Sequence, residues 1–400
     1  MYDIMDLEQD VDSQHEALRR LRAEDPVWWD EKNQHWLVTR YDDVRHVSKN
    51  AKTFCSGRGV LVNSDTQVSI VTMDDPQHAK MRGILSRGFT PRVVMHQEAL
   101  VHRFMAEAID AVIERGECDF VDDIAVPLPM RIIAHMVGFD DANLADFRHW
   151  TDTMFQANGA TDLPTMERAT QAFCEFSAQI VTALEDRRRR PREDMLSALI
   201  AAESDGVLHA SDDRLQDDEL VMFCVLLITA GNETTRNSLS RGIQTLIEHP
   251  LERARLIADR SLLSSAVEEI LRWTSVLRCF RRTVTEDTEL RGKQLREGDR
   301  VVVVYPSANR DEEAFGDPYT FRIDRDPNDH VAFGFGPHFC MGANLARLEM
   351  RIAFEHILDR LPDLQFAPGT SPTPDVTSLT QGLAHLPLVF TPNRKSGVAA

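Results

Sequence analysis

From about Asp217 to Glu248, apolar and small residues recur at helical spacing with no breaker until His249-Pro250. At 1.5 Å per residue, a helix of about thirty residues spans roughly 45 Å, enough to cross a whole domain. Its middle, Leu220 to Ile228, is apolar all round and so belongs inside a core. Any fold for this chain must wrap other elements around that rod. The apolar run is under half of the roughly 20 residues that cross a bilayer. Halfway along, at Gly231-Asn232-Glu233-Thr234-Thr235, the rod turns polar. Unpaired carboxylates and hydroxyls in a core cost several kcal/mol or change their protonation, so this break needs a chemical reason.

The rest of the chain reads as its casing. A helix from Ser13 to Glu24 stops at Asp25-Pro26, and two short strands follow, Val27 to Asp30 and His35 to Thr39, joined by the turn-like Lys32-Asn33-Gln34. From about Pro91 to His249 the apolar spacing is mostly helical. Leu290 to Tyr305 reads as a hairpin around Arg296-Glu297-Gly298-Asp299 that ends in a buried strand, Val301 to Val304. A last helix runs from about Gly342 to Leu361 and stops before Pro362. No repeat or flexible linker divides the 400 residues. The expected fold is mainly α with a small β-rich part, a single large helical domain over residues 1–400.

Composition narrows the partners. A net charge of −19 disfavours nucleic acid. The one basic run, Arg187 to Arg190, reads as the solvated end of a helix. The opening residues are acidic, without the basic and then apolar pattern of a signal peptide, so a cytoplasmic protein with no membrane anchor is expected. Six scattered cysteines with no C-x-x-C pair suggest neither a zinc site nor a disulfide framework. Isolated cysteines are ordinarily small buried apolar residues, and only Cys340 has neighbours that say otherwise.

Those neighbours are Phe333-Gly334-Phe335-Gly336-Pro337-His338-Phe339-Cys340-Met341-Gly342, leading into the last helix. Glycines permit positive φ and close approach to a flat group. A cysteine at a helix start meets free N–H groups and the positive dipole end, which lower a thiol's pKa and favour metal ligation. A dinucleotide loop would need a third glycine where Phe339 stands. A nucleophilic cysteine remains open, although the segment offers no base.

The segment resembles the cysteine-ligand loop of the cytochrome P450 family, F-x-x-G-x-x-x-C-x-G, at Phe333, Gly336, Cys340 and Gly342. Further matches extend the resemblance over nearly the whole chain. It implies the P450 fold around a buried haem b, with Cys340 as iron ligand, electron donation that favours O–O cleavage, and Phe333, Gly334 and Gly342 shaping the loop. Ala230-Gly231-Asn232-Glu233-Thr234-Thr235 resembles the oxygen-activation motif A-G-x-[DE]-T-[ST]. There Ala230 and Gly231 would make room for O2 and substrate, and Glu233 and Thr234 would be the catalytic acid–alcohol pair. Glu269 and Arg272 match the family's E-x-x-R pair, and Arg325 its third partner, a structural network bracing the cysteine loop. His78 and Arg82, Arg282 and His338 match its contacts to the haem propionates.

Within that family the chain resembles actinobacterial P450s that hydroxylate sterol side chains or branched lipids. It rests on Glu114 to Val121, Asp217 to Met222 and Glu268 to Thr274. It implies a monooxygenase acting on a hydrophobic small molecule, with a steroid or terpenoid favoured. Substrate contacts are expected in Val60 to Ile70, Cys224 to Ala230, Val276 to Phe280 and Leu379 to Leu383. No flavin or iron–sulfur segment is present, so electrons would come from a ferredoxin and its reductase, docking near a basic spot of Arg82, Arg92, Arg347 and Arg351. Two other readings compete. A peroxide-driven peroxygenase would ordinarily lack the acid–alcohol pair, and a non-catalytic haem-binding protein would have no need of it.

Overall fold

The computed structural model describes residues 3–6, 11–139, 144–156, 162–192, 194–204 and 217–395. Its axis is the helix Asp217–Glu248, at the bounds read from the sequence. Leu220, Phe223, Cys224 and Ile228 on its apolar half are all at most 2% exposed. Packed against it are the helices Pro127–Val137, Leu163–Arg189, Leu263–Thr274 and Ala343–Arg360, together with the strand Gln381–His385. Most of the rod is therefore buried because other elements pack around it.

The opening helix, Val11–Glu24, and the strands Val27–Asp30 and His35–Val38 lie where expected. Beside that strand pair comes Arg300–Val304, parallel to His35–Val38 with Leu37 opposite Val302, then Cys279–Val284 and Phe54–Cys55. Val301 to Val304 are wholly buried, as their apolar run implied.

The hairpin expected around Arg296 to Asp299 is not formed. Arg300–Val304 pairs with Cys279–Val284 instead. The local hairpin joins Thr288–Leu290 to Lys293–Leu295. It turns at Arg291 and Gly292, with φ of 50° and 76°, the two positive values a tight two-residue turn requires. The sequence hid this turn because arginine is an uncommon residue in that conformation. Arg187 is a second departure. It is 4% exposed rather than solvated, because its guanidinium pairs with Asp194 at 2.6 Å and reaches the Gly138 carbonyl.

The chemistry-bearing loop is braced from inside. The Glu269 carboxylate receives Arg272 through two contacts of 2.8 Å and Arg325 Nε at 3.0 Å, all at 0–6% exposure. Arg272 also donates to the Asn309 carbonyl, and the Asn309 side chain accepts from Val331 N at 2.8 Å. Val331 O in turn accepts from Gly334 N. A buried carboxylate with this many donors has its desolvation offset, whereas removal of one partner would strand a charge. Glu268 adds a second tie, to Arg347 at 2.7 and 2.8 Å and to His330 at 3.1 Å.

Candidate active site

The segment Phe333 to Gly342 forms a loop closed by Cys340 N donating to Phe333 O at 3.0 Å. Gly334 and Gly336 have φ of 72° and 75°, the conformation for which glycine is needed. At Gly336 there is a second reason: a Cβ there would lie 2.6 Å from Ser48 O, on the helix Tyr41–Lys49. Gly342 departs from expectation, since its φ is −79° and it serves as the N-cap of Ala343–Arg360. A Cβ on it would stand 3.9 Å from the Cys340 sulfur, so its smallness keeps the sulfur's surroundings open.

Cys340 is exposed, but the surface it shows lines a cavity within the protein. Burial consequently pushes its thiol up, against the downward pull of the Gly342 and Ala343 N–H groups and of Arg82 and Arg347. The helix start alone was expected to lower it, and depth in the protein outweighs that effect. Bound to a metal ion, a coordinating thiol loses its proton outright.

The cavity, about 1750 Å³ of empty space with some open solvent included, runs between this loop and the middle of the long helix. Ala230, Gly231, Glu233, Thr234, His78, Arg82, Arg282, Phe333, Gly334, His338, Cys340 and Gly342 all line it. Residues from opposite ends of the chain are thus brought to one space. Thr234 Oγ1 donates to Ala230 O at 2.7 Å, the back-bond anticipated for a mid-helix threonine, leaving its lone pairs to accept. Ala230 is exposed to the cavity. Gly231 has a packing role as well: a Cβ there would overlap Ile133 Cδ1 on Pro127–Val137.

Glu233 is 4% exposed. Its Oε1 accepts from Asn237 at 3.4 Å and Thr380 at 3.3 Å, and Arg236 lies 3.6 Å from its Oε2. Burial pushes its carboxyl up, Arg236 pulls it down and Asp375 reinforces the rise.

The opposite wall carries basic side chains. His78, on Gln77–Leu85, and His338 stack with ring centroids 4.0 Å apart. Arg282 is 4% exposed and donates to the Arg281 carbonyl. Burial depresses the basicity of Arg282, and burial followed by Arg282 drives His338 down to about 3. The buried His78 Nε2 has no hydrogen-bond partner. So much buried basicity around an orphaned donor suits an anionic group with several oxygens. With a cysteine sulfur across the same cavity, the donor set fits a haem and its two propionates.

Around this space the lining is apolar. Ile70, Leu226, Leu227, Val276, Leu277, Phe280 and Leu379 line it as expected, whereas Val60, Val62 and Leu383 are buried in the core away from it, and Leu61 does not line it either. Sequence reasoning missed Val71, Phe89, Ile133 and Phe223. It also missed Glu349, on the closing helix, which lines the cavity at 1% exposure with Oε2 unpaired and its carboxyl pushed up to about 8 by burial. A charged residue on the buried face of an otherwise apolar stripe was the signal available.

The basic spot is half neutralised. Arg347 is held by Glu268, Arg351 by Glu98 at 2.7 Å, and Arg82 donates to Phe339 O, while Arg92 is exposed. Four of the other cysteines are buried, and Cys174 is exposed. No helix among the described residues is long and apolar enough to cross a membrane.

A helical fold that sets a loop cysteine, a wall of basic side chains and the mid-helix Glu233 and Thr234 around one largely apolar cavity is that of a haem-thiolate enzyme. The sequence model of the cytochrome P450 family matches residues 100–388, and this chain belongs to that family. It is 39% identical to a steroid C26-monooxygenase of Mycolicibacterium smegmatis, over 94% of this chain and 93% of that one. It is 38% identical to a methyl-branched lipid omega-hydroxylase of Mycobacterium tuberculosis, over 95% and 92%. Among solved structures it resembles CYP109E1 from Bacillus megaterium in complex with corticosterone, with a TM-score of 0.86 and 34% identity over 94% and 98% of the two chains. A Mycobacterium marinum cytochrome P450 in complex with pseudoionone gives 0.87 and 33% over 98% and 99%. The chain is accordingly a haem-dependent monooxygenase.

Proposed function

We propose that this chain, as one P450 domain, inserts one oxygen atom of O2 into a steroid, or a terpenoid or branched lipid of similar bulk, using electrons delivered by a ferredoxin and its reductase. The observation that carries the reading is a single cavity that holds the Cys340 sulfur, the Ala230 to Thr234 turn and a mostly aliphatic and aromatic lining. An apolar lining rewards a hydrophobic substrate by the area removed from water. Two relatives named for a steroid and for a methyl-branched lipid point to the same class.

Haem bound here supplies dioxygen activation, with a thiolate that favours O–O cleavage. Cys340 would hold its iron, with Phe333, Gly334 and Gly342 keeping the loop in shape. His78, Arg82, Arg282 and His338 would hold its propionates. Ala230 and Gly231 would keep the helix slim beside it. Glu233 would supply protons and Thr234 would accept and pass them, its hydroxyl already fixed on the Ala230 carbonyl. The apolar side chains would exclude water and orient the substrate.

Titration of the holoenzyme with steroids, terpenoids and linear fatty acids, read as displacement of the sixth iron ligand in the absorption spectrum, tests the substrate class. Tight shifts with steroids or branched terpenoids are expected, and a preference for linear fatty acids alone would remove it. Cys340→Ser is expected to abolish both the thiolate-type band of the reduced, CO-bound form and substrate oxidation. Parallel turnover with hydrogen peroxide alone and with ferredoxin, reductase and NAD(P)H separates the monooxygenase from a peroxygenase.

A further inference from the structure

Glu233 does not end the polar chain at the cavity. The same nitrogen of Arg236 that lies 3.6 Å from Glu233 Oε2 lies 3.1 Å from Asp375 Oδ2, on the strand Thr373–Val376. Side-chain exposure rises along this line, from 5% at Glu233 to 18% at Arg236 and 36% at Asp375. The neighbouring strand, Gln381–His385, completes the enclosure. Asn237 packs where a Cβ on Gly382 would stand, and the Thr380 hydroxyl donates to Glu233 Oε1.

We propose that Arg236 and Asp375 are positioning residues that govern whether Glu233 holds a proton, because two carboxylates compete there for one guanidinium. This inference rests on the reading of Glu233 as the proton donor. Three charged groups meet, two negative and one positive, so full ionisation leaves one negative charge without a partner. The deeper carboxylate is the costlier place for that charge, since its access to water is least. Asp375 lies nearer to Arg236 and to solvent, so the proton is favoured at Glu233.

The charged groups that act on Glu233 are Arg236 from its own helix and Asp375 from the facing strand, and its neutral neighbours are Asn237 and Thr380. Removing Asp375 releases Arg236 to Glu233, which then ionises more readily and is a poorer donor. Removing Arg236 does the reverse. Asp375 stands about 140 residues further along the chain, so the pairing is a product of the tertiary fold.

Infrared difference spectra of the holoenzyme read the Glu233 proton directly. The protonated-carboxyl C=O band is assigned by its loss in Glu233→Gln and titrated with pH. Asp375→Asn is expected to move that titration to lower pH and Arg236→Gln to higher pH. The pH at which product per NAD(P)H is lost should move in the same two directions. A structural role alone would not shift the two variants oppositely. If Glu233→Gln uncouples turnover while neither neighbour moves the band, the positioning role is overturned and the donor role stands. If Glu233→Gln leaves hydrogen peroxide release unchanged, the donor reading falls and this inference falls with it.

Discussion

Thr234 has its hydroxyl proton committed to the Ala230 carbonyl and its lone pairs free, so it is set to accept a hydrogen bond inside the cavity. Thr234→Ala removes that acceptor without touching the cysteine loop or the basic wall. Haem content should therefore be unchanged while product per NAD(P)H falls by at least about tenfold, hydrogen peroxide accounting for the difference. Undiminished coupling would show that the hydroxyl only packs. Glu349 makes a separate prediction at the same scale. Its folded carboxyl sits at about 8 against an ordinary 4.5, so the folded protein holds that proton the more tightly. The stability this group contributes is full below about 4.5 and is lost as pH rises through about 8. Glu349→Gln should flatten that loss, with a gain on the order of a few kcal/mol near pH 9 and little change near pH 5, read from denaturant midpoints at the two pH values.

Helices meet in this molecule where one of them is thin. Gly231 on the long helix admits Ile133 Cδ1 from Pro127–Val137, and the two elements pack closely beside the cavity. Alanine in mid-helix ordinarily gains about 1 kcal/mol over glycine. Here the overlap should dominate, and Gly231→Ala is expected to cost about 1–3 kcal/mol. Ile133→Val deletes the offending methyl, so the double variant should recover most of that loss. Additive midpoints in thermal melts would refute the contact. The same scale explains the Glu269 network. Two helical residues three apart form a pair that is legible in sequence, but their burial comes from the segment Pro318 to Arg325 folding over them. Arg325→Ala leaves a buried carboxylate short of a donor, and a loss of about 3–5 kcal/mol is expected in equilibrium unfolding.

Across the whole molecule the charge is −19, yet two of the four arginines near the cysteine loop are engaged by acids of the same chain. Arg347 and Arg351 thus serve Glu268 and Glu98 before any partner arrives. Reduction by the proposed ferredoxin should accordingly slow only weakly as ionic strength rises, since few free charges remain to be screened. Stopped-flow reduction of the CO-saturated enzyme over a salt series checks this, and a steep decline would mean that those ion pairs open on docking.

Much of the fold was legible because it rests on local periodicity and punctuation. The rod Asp217–Glu248, the opening strands and the closing helix follow from apolar spacing, prolines and caps. The loop glycines announced positive φ at Gly334 and Gly336, and the motif residues named their own neighbourhood. What a linear pattern cannot carry is depth and distant pairing. Depth raised the Cys340 thiol against its helix-start environment and turned Glu349 into a weak acid. Packing sent Val60, Val62 and Leu383 to the core and brought Ile133 and Phe223 to the cavity. Pairing across the chain set Asp375 against Arg236 and moved Arg300–Val304 from a local hairpin to a strand beside Cys279–Val284. Sequence determined which groups are present and which helix or loop bears them. Tertiary structure decided their solvation and their partners, because both depend on what other segments place within a few ångströms.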